Sequence, residues 1–356
     1  MSLRAENNSQ IIAAVDFLFL ALNENANREN IYDASPNAGL VGLRNSTGAN
    51  DFNDFEARIL NLSTWNITGV DDLTDLFVDN RENTLIAPTT NVFTQTLIDA
   101  KTTEATRSLA QWDVSAVNNF TRTFKTSPAN NDSFMPTGIS EWSVGGDGTF
   151  AFECGEMFEN SRISTENLSG WKMQQCTDLT QMFLSCSNFV GNGLYSWQIS
   201  ENLTSLRLAF KEANLAPGLN LGSWDVSGCT LFNGAFGGNA NFIGRGLRHW
   251  DVSSGTDFSN MFAGCNDFDE NVQMWKLDAV AGNTLIDRFV TENYPFISPL
   301  YFFENENAAT DYDVNTNWFL AYVSPPAFEH GSKILNANSL SSSVERILTL
   351  QSKTII

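Results

Sequence analysis

The run Leu221-Gly222-Ser223-Trp224-Asp225-Val226-Ser227, which continues to Phe236, decides the fold of this protein. It returns one unit later as Trp250-Asp251-Val252-Ser253, which continues to Met261 and Phe262. A run that recurs at a constant interval is the signature of a repeat protein. A unit of this size cannot bury its own tryptophan and phenylalanine, so neighbouring units must stack on one another.

The interval between tryptophans settles near 26 residues, with tryptophans at positions 65, 112, 142, 171, 197, 224, 250 and 275. The first interval is almost twice as long as the others. Because Asn91 to Leu97 parallels Asn118 to Phe124, we predict a degenerate copy there, with Leu85 at the tryptophan position, and about nine copies in all. The third unit has four extra residues between Trp142 and Phe158 and three glycines, which predict a bulged loop.

Each unit has two halves with different apolar spacing. The tryptophan and the apolar residue two positions later, such as Trp224 and Val226, share the parity of a short strand that faces one side. In the second half two apolar residues lie four positions apart, as Phe232 and Phe236 do, which favours one face of a helix of about two turns. An Asp, Asn or Thr six positions before the phenylalanine, such as Thr230, suits the start of that helix.

These residues resemble the BspA-like leucine-rich repeats of bacterial surface proteins, which carry an I-S-x-W-D-V-S-x-V-T-x-M-x-x-M-F pattern. The resemblance covers about residues 60 to 290 and recurs with a constant period. It implies an extended scaffold used for adhesion or protein contact, with no catalytic residues to carry over. Similar repeats also occur in proteins of large DNA viruses and protists.

The predicted fold is an α/β repeat solenoid, leucine-rich-repeat-like, with a short strand and a short helix in each coil and capping segments at both ends. Residues 1–59 form the N-terminal cap, with a helix near residues 10–22, and residues 60–290 form the solenoid. Residues 291–356 form an aromatic C-terminal cap or docking segment. The expected core between coils consists of Trp65, Phe77, Trp112, Phe124, Trp142, Phe158, Trp171, Phe183, Trp197, Phe210, Trp224, Phe236, Trp250, Phe262, Trp275 and Phe289.

The composition narrows the classes of partner. Asp and Glu outnumber Lys and Arg by 41 to 20, which gives a formal net charge of −21. Nucleic acid is therefore not expected as a partner, because phosphate binding needs a basic surface. No Lys/Arg cluster suits an anionic membrane. The apolar stretch Ile11 to Leu22 is interrupted by Asp16 and is expected to be a cap helix, with no signal peptide or membrane anchor.

No set of residues predicts catalysis, a cofactor or a metal site. The five cysteines form no CxxC pair and are expected to be buried free thiols at positions 154, 176, 186, 229 and 265. His249 stands where other units have polar residues and is expected on the surface, and His330 has no assignable partner. Asp311 begins a run that resembles a calcium loop but has Tyr322 where the closing glutamate belongs. Asp71 and Asp72 suit a helix start.

The C-terminal segment holds two aromatic clusters outside the repeat. Two interpretations stay open: a hydrophobic plug over the last coil, or a surface that docks another subunit, since exposed aromatics concentrate binding energy. The candidate docking residues are Phe296, Tyr301, Phe302, Phe303, Trp318 and Phe319.

The sequence therefore predicts a non-enzymatic structural scaffold. The acidic, Asn-rich composition and the aromatic tail favour a minor capsid protein in the virion of a large DNA virus, with capsid subunits as its partners. The alternative is a cell-surface or secreted adhesin or ligand-binding module, and a third is an intracellular scaffold of a protist.

Overall fold

The repeats begin after a helical N-terminal segment. The computed structural model describes residues 2–275, apart from positions 87, 131, 135, 165, 259, 269, 271, 273 and 274. It divides into two compact units, unit 1 (Met1–Trp197) and unit 2 (Gln198–Ile356). Phe289, the segment 291–356 and its six candidate docking aromatics lie outside the described residues.

Four helices form the N-terminal cap: α1 (Asn8–Leu22), α2 (Arg28–Ala34), α3 (Ala38–Thr47) and α4 (Phe52–Ile59). Helix α1 covers the stretch for which the sequence predicts a helix. The side chains of Asn7, Asn37 and Asp51 accept backbone N–H groups at the starts of α1, α3 and α4, which satisfies donors that have no partner within the helix. Polar caps of this kind set where three of the helices begin.

Asp16 is the centre of a buried polar network inside the cap. Its carboxylate is fully buried, receives 2.6 Å contacts from the Arg81 guanidinium and the Thr84 hydroxyl, and accepts the Asn91 amide at 2.7 Å. The Thr84 backbone N–H also donates to it, at 2.8 Å. The residue that interrupts the apolar run of α1 therefore ties this helix to residues 81–91, far along the chain.

The cap also takes the place of a repeat that would precede the first one. The indole Nε1 of Trp65 donates to the Arg58 carbonyl at 3.0 Å, at the end of α4. The Asn66 N–H donates to the Leu3 carbonyl at 2.8 Å, and the Ala5 N–H donates to the Asn66 carbonyl at 2.9 Å. The N-terminal segment therefore pairs in parallel with the first repeat. The first repeat thus meets the same kinds of contact that later repeats receive from each other.

The predicted degenerate copy at Leu85 is wrong. The ring of Trp65 stacks directly on that of Trp112, with centroids 5.6 Å apart, and Phe77 stacks directly on Phe124, also at 5.6 Å, so no coil lies between them. Leu85 is only half-buried. The intervening chain forms an antiparallel hairpin of β1 (Arg81–Glu82) and β2 (Thr90–Asn91), then the short helices α5 (Gln95–Lys101) and α6 (Glu104–Arg107).

The similarity that suggested this copy has a different physical origin. Phe93 is buried because its ring packs edge-on against Phe77 and Phe19, at 5.5 and 6.0 Å, so it joins the cap to the first repeat. The interval of 47 residues is thus one repeat with an inserted hairpin and two helices. The described residues contain eight tryptophan positions of the repeat and no ninth copy.

The tryptophans stack from one repeat to the next in both units. In unit 1 the centroid distances between Trp65, Trp112, Trp142, Trp171 and Trp197 are 5.6, 6.3, 6.5 and 6.2 Å, and the rings are within 12° of parallel. In unit 2 Trp224, Trp250 and Trp275 stack at 6.2 and 6.5 Å. Each described tryptophan of the predicted core is at most 3% exposed, which places it between the coils.

Six of the stacked indoles also make a hydrogen bond to the preceding repeat. In each of them the Nε1 donates to the carbonyl of the aliphatic residue that stands three positions before the tryptophan of the preceding repeat, at 2.7–3.0 Å. The accepting residues are Leu62, Leu109, Ile139 and Leu168 in unit 1 and Leu221 and Leu247 in unit 2. Four of these residues open a 3₁₀ turn that leads into the tryptophan: Leu62–Thr64, Ile139–Glu141, Leu168–Gly170 and Leu247–His249. Leu194–Ser196 forms the same turn before Trp197.

The second half of each described repeat is not the predicted helix. The residue two positions before the repeating phenylalanine adopts left-handed backbone geometry, with φ between 53° and 64° at Asp75, Arg122, Glu156, Gln181, Leu208, Gly234 and Asn260. Every second N–H group donates to a carbonyl of the adjacent repeat, as that of Phe124 does to Met157 at 2.9 Å. The N–H groups in between donate to carbonyls three residues earlier in their own repeat and so form turns. A helix needs these same N–H groups for its own carbonyls, so the two arrangements exclude each other.

The predicted strand is also displaced. Parallel pairing between repeats lies at the start of the second half of the repeat and not at the tryptophan. At this place β3 (Phe152–Glu153) pairs with β4 (Cys176–Asp178). Single bridges join equivalent positions elsewhere: Asp72 to Asn119 and Asn119 to Glu153 in unit 1, and Ser205 to Leu231 and Leu231 to Asp257 in unit 2. The turns on either side keep these strands to one to three residues.

The phenylalanines form a second stack beside the tryptophans. Centroids of Phe77, Phe124, Phe158 and Phe183 are 5.4–5.6 Å apart in unit 1, and those of Phe210, Phe236 and Phe262 are 5.7 Å apart in unit 2. Side chains four positions apart still share one face, because left-handed residues recur every four positions, as at Gln181 and Ser185. That is why the apolar spacing resembles that of a helix.

The indole bond predicts the effect of removing a single N–H. Trp142→Phe leaves the buried Leu109 carbonyl without its donor, and we expect the free energy of unfolding to fall by about 1–3 kcal/mol. Urea denaturation followed by circular dichroism measures this loss. Tyr195→Phe, which removes the hydroxyl of a ring that is 61% exposed, is the control and should leave stability unchanged. Equal stability of Trp142→Phe and wild type would contradict the role of the bond.

A second prediction concerns the Asp16 network. Asp16→Ala leaves the Arg81 guanidinium, only 15% exposed, without its carboxylate, and we expect a loss of about 3–5 kcal/mol in the free energy of unfolding. The matched control is Glu82→Gln, an exposed carboxylate on the same hairpin. A loss below about 1 kcal/mol, the usual value of a surface ion pair, would mean that the network does not hold the hairpin on the cap.

Candidate functional site

The polar residues of the repeating motif serve local turns. In Trp-Asp-Val-Ser the Asp225 carboxylate accepts the Ser227 N–H at 3.0 Å and its hydroxyl at 2.6 Å, and Asp251 accepts the Ser253 N–H at 3.0 Å. Asn66 does the same for Thr68. Asn119 and Asn167 accept the N–H two residues later, so their Asn-x-Ser/Thr triplets are turn signatures. The motif therefore builds the coil and leaves little of itself for a ligand.

The predicted helix-cap residues have another role. The Thr230 hydroxyl donates to the Thr204 carbonyl, and the Thr256 hydroxyl donates to the Thr230 carbonyl at 2.9 Å, so these side chains join repeats. Turn capping falls to the next residue, since Asp72, Asn119 and Asp178 each accept the N–H two positions later, at 2.8–2.9 Å. The backbone there starts a turn, which explains why the residue types suggested a helix start.

All five cysteines are free and buried, as the sequence predicts. The thiols of Cys186 and Cys265 donate to the carbonyls of Phe158 and Phe236 in the preceding repeat, at 2.8 and 3.1 Å. Asn239, in the same slot, donates to the Phe210 carbonyl at 2.7 Å. Burial raises the pKa of Cys186 to about 12 and raises the pKa values of Cys154 and Cys265 as well. Cys154, Cys186 and Cys265 are thus kept protonated, the unreactive form.

The third repeat departs most from the regular coil and forms a groove. Its extra residues make the predicted bulged loop around Gly145–Gly148. The bulge groove, as we call it, has a volume of about 630 Å³. It is lined by Asp71, Ala116, Asn118, Asn119, Phe150, Ala151, Phe152, Glu153 and Thr177.

Close packing fixes the loop beside this groove. Gly145 and Gly146 have φ of 78° and 49°, and a Cβ on them would lie 2.1 Å from the Lys172 carbonyl oxygen and 2.3 Å from that of Ser115. Glycine is therefore required at both positions. The Lys172 ammonium donates to the Gly146 carbonyl at 2.7 Å, which holds the loop from the fourth repeat. The bulge is a fitted part of the stack.

The walls of the bulge groove combine an aromatic ring with carboxylates. Phe150 is half-buried, whereas Phe152, two positions later, is fully buried against Phe120. Glu153 is exposed, and the Asp71 carboxylate, at the far wall, accepts the Asn8 amide at 2.8 Å. No Lys or Arg side chain is among the lining residues that the structure describes. The groove therefore offers an apolar contact next to negative charge.

Unit 2 has a groove of similar size but mixed charge. It has a volume of about 610 Å³ and is lined by Asn220, Ile243, Arg245, Gly246, Arg248, His249, Asp267 and Glu270. Glu270 is almost fully buried, accepting the Gly246 N–H and the Arg248 guanidinium, both at 2.8 Å. Its carboxylate thus holds the turn of the preceding repeat. His249 is exposed, as the sequence predicts.

The sequence did not single out Phe150, Glu153 or Asn118 as functional residues, and it assigned Asp71 to a helix start. Its one available signal was the glycine-rich insertion of the third unit, which marked where the coil is irregular. The described residues contain no group of three or more His, Cys, Asp or Glu that could hold a metal ion. No helix in the described ranges has the length and apolar character needed to cross a bilayer.

Comparison with known families gives matches over the repeats. The model of the family described as "Mycoplasma protein of unknown function, DUF285" matches residues 47–147, 90–216 and 204–291. The chain belongs to this family. The three overlapping matches support the resemblance to BspA-like repeats and make the chain a protein of tandem DUF285 repeats. No curated protein and no solved structure matches it significantly.

The buried thiols of the DUF285 repeats predict a loss of stability at alkaline pH. Because the pKa of Cys186 is raised from 9.0 to about 12, the unfolded thiol releases its proton in this range while the folded one keeps it. The contribution of the protonated Cys186 thiol to the free energy of unfolding is complete below pH 9 and is lost as the pH rises toward 12. Between these two pH values we expect one such thiol to lower the free energy of unfolding by about 1.4 kcal/mol for each pH unit.

The measurement is the free energy of unfolding in urea at pH values from about 8 to 11, under reducing conditions. Cys186→Ala should unfold with a smaller alkaline slope than wild type, while Tyr195→Phe, in which an exposed phenol is removed, should keep most of the slope. Identical slopes in wild type and Cys186→Ala would show that this thiol ionises alike in both states.

Proposed function

We propose that this chain is a non-enzymatic scaffold whose DUF285 repeats form a leucine-rich-repeat-like solenoid and bind other proteins. The observation that carries the proposal is the use of the motif residues. The aromatic rings stack between repeats, the Asp and Ser of the motif close turns, and the cysteines donate to neighbouring carbonyls. The exposed positions, which differ from repeat to repeat, are then the ones available for recognition.

The bulge groove supports an interaction role more than the rest of the surface does. It lies where one repeat departs from the regular pattern, and loops positioned by a rigid scaffold are where binding residues concentrate. Its loop is fixed by Gly145, Gly146 and Lys172, so a partner would meet a surface that is already shaped. The aromatic segment 291–356 remains the second proposed docking region, as in the sequence analysis.

The finer assignment that we propose is a minor capsid protein of a large DNA virus. Repeats present a long surface that can contact several subunits at once, which suits a protein that bridges capsomers. The acidic composition suits partners with basic surfaces. The alternative is a cell-surface adhesin or ligand-binding protein, in line with the bacterial proteins whose repeats it resembles.

Mass spectrometry of purified particles, with chemical cross-linking before digestion, tests these assignments. The capsid assignment predicts peptides of this chain in a constant ratio to the major capsid protein, with cross-links from exposed lysines such as Lys172 to capsid subunits. An abundant cytosolic protein is the control for contamination. Absence from particles combined with labelling by a membrane-impermeant biotin reagent on intact cells would support the adhesin instead. Turnover of a substrate by the purified chain would overturn the scaffold proposal itself.

A further inference from the structure

The bulge groove runs along the stacking direction of the repeats. Its lining residues come from four consecutive repeats of unit 1: Asp71 from the first, Asn118 from the second, Phe150 from the third and Thr177 from the fourth. Parallel bridges join the first three of these repeats, and β3 pairs with β4 between the third and fourth. Three strand spacings of about 4.8 Å make roughly 15 Å, the length of four or five residues of extended peptide.

The charges around the groove are unbalanced. Within the first three repeats Arg122 is already paired with Asp75, and Lys125 is paired with Glu156 and Glu159. These pairs occupy two cations, and the Lys172 ammonium is bound to the Gly146 carbonyl, whereas Glu153 makes no ion pair within the described part of the chain. An incoming cationic side chain would therefore find a carboxylate that is not already occupied.

An apolar contact lies beside this charge. Phe150 is partly exposed on the rigid bulge, and Ala116 and Ala151 add small apolar surface to the walls. A partly exposed phenyl ring on a fixed loop can anchor an interface, because covering it buries further apolar area at little cost in side-chain entropy. The exposed Asn118 side chain supplies an amide group for the backbone of a bound peptide.

We propose that the bulge groove binds an extended segment of a partner protein in which an Arg or Lys stands next to a leucine-like side chain. The cationic group lies on Glu153 and the apolar side chain covers Phe150, while Asp71 attracts a second cation further along. This inference rests on the proposed scaffold function and adds the chemical class of the partner segment and the place where it binds.

The test measures binding of synthetic peptides to the full chain by fluorescence anisotropy. Three fluorescein-labelled peptides share polar flanks and differ only in a central Leu-Arg, Leu-Glu or Ser-Arg pair. We expect the Leu-Arg peptide to bind about tenfold more tightly than either of the others, and its affinity to fall as salt rises. If all three bind equally, or if none binds at millimolar concentration, the proposal is overturned.

Variants of the chain then place the binding. Glu153→Gln should remove the preference for Leu-Arg over Leu-Glu, and Phe150→Ser should remove the preference over Ser-Arg. The matched controls are Glu141→Gln, an exposed carboxylate of the same repeat outside the groove, and Tyr195→Ser, an exposed ring elsewhere in unit 1. Both should keep both preferences. Binding that survives Glu153→Gln and Phe150→Ser unchanged would place the peptide elsewhere and refute this site.

The outcome is separable from that of the scaffold proposal. Circular dichroism checks that the variants keep the fold, since Glu153 is exposed and Phe150 is only half-buried. If the peptides fail but cross-linking of wild type still finds protein neighbours, the scaffold stands and this groove does not serve it. If peptides bind while no neighbour is found in particles or at cell surfaces, the groove stands and the assignment to those assemblies falls.

Discussion

The hydrogen bond from an indole to the repeat before it, made by six of the tryptophans, is the contact on which the rest of the structure depends. It fixes the tryptophan ring at the height at which it stacks on the next ring, as Trp142 does between Trp112 and Trp171. A buried indole N–H without an acceptor would be costly, so the position of the preceding carbonyl sets the register between repeats. The same bond joins the first repeat to the cap, where Arg58 supplies the carbonyl.

In this register, backbone N–H groups in the second half of the repeat bond to the neighbouring repeat and not to carbonyls of a helix of their own. Four alternate N–H groups in this segment donate to the neighbouring repeat, from Leu73 to Asn119 through Asp79 to Lys125 in the first pair. Left-handed geometry at residues such as Gln181 costs energy in a non-glycine residue, and the bonds to the neighbour offset it. The result is a coil held together by its neighbours, with very little regular secondary structure of its own.

The structural use of the motif residues decides where function can lie. The residues that define the motif face the interior or close turns, so a ligand meets the positions between them, where repeats differ. The bulge of the third repeat is the clearest such difference in unit 1, because it brings an aromatic ring and a carboxylate to the surface on a loop held by Lys172. The unit 2 groove is similar in size, but its Glu270 is committed to a turn.

The sequence by itself determined the repeat, its period, the tryptophan and phenylalanine positions and the buried free thiols, because each depends on a side chain that recurs at a fixed spacing. It located the bulged loop by its glycines, but not the groove, since Asp71 and Phe150 are brought together only by stacking. It misassigned the second half because side chains four apart share a face both in a helix and in a chain with a left-handed residue every fourth position. Only the tertiary structure separates the two, through N–H groups that bond to the next repeat, as Phe124 does to Met157. In the same way, the inserted hairpin was recognised only from the direct stacking of Trp65 on Trp112, a contact between residues that are distant in sequence.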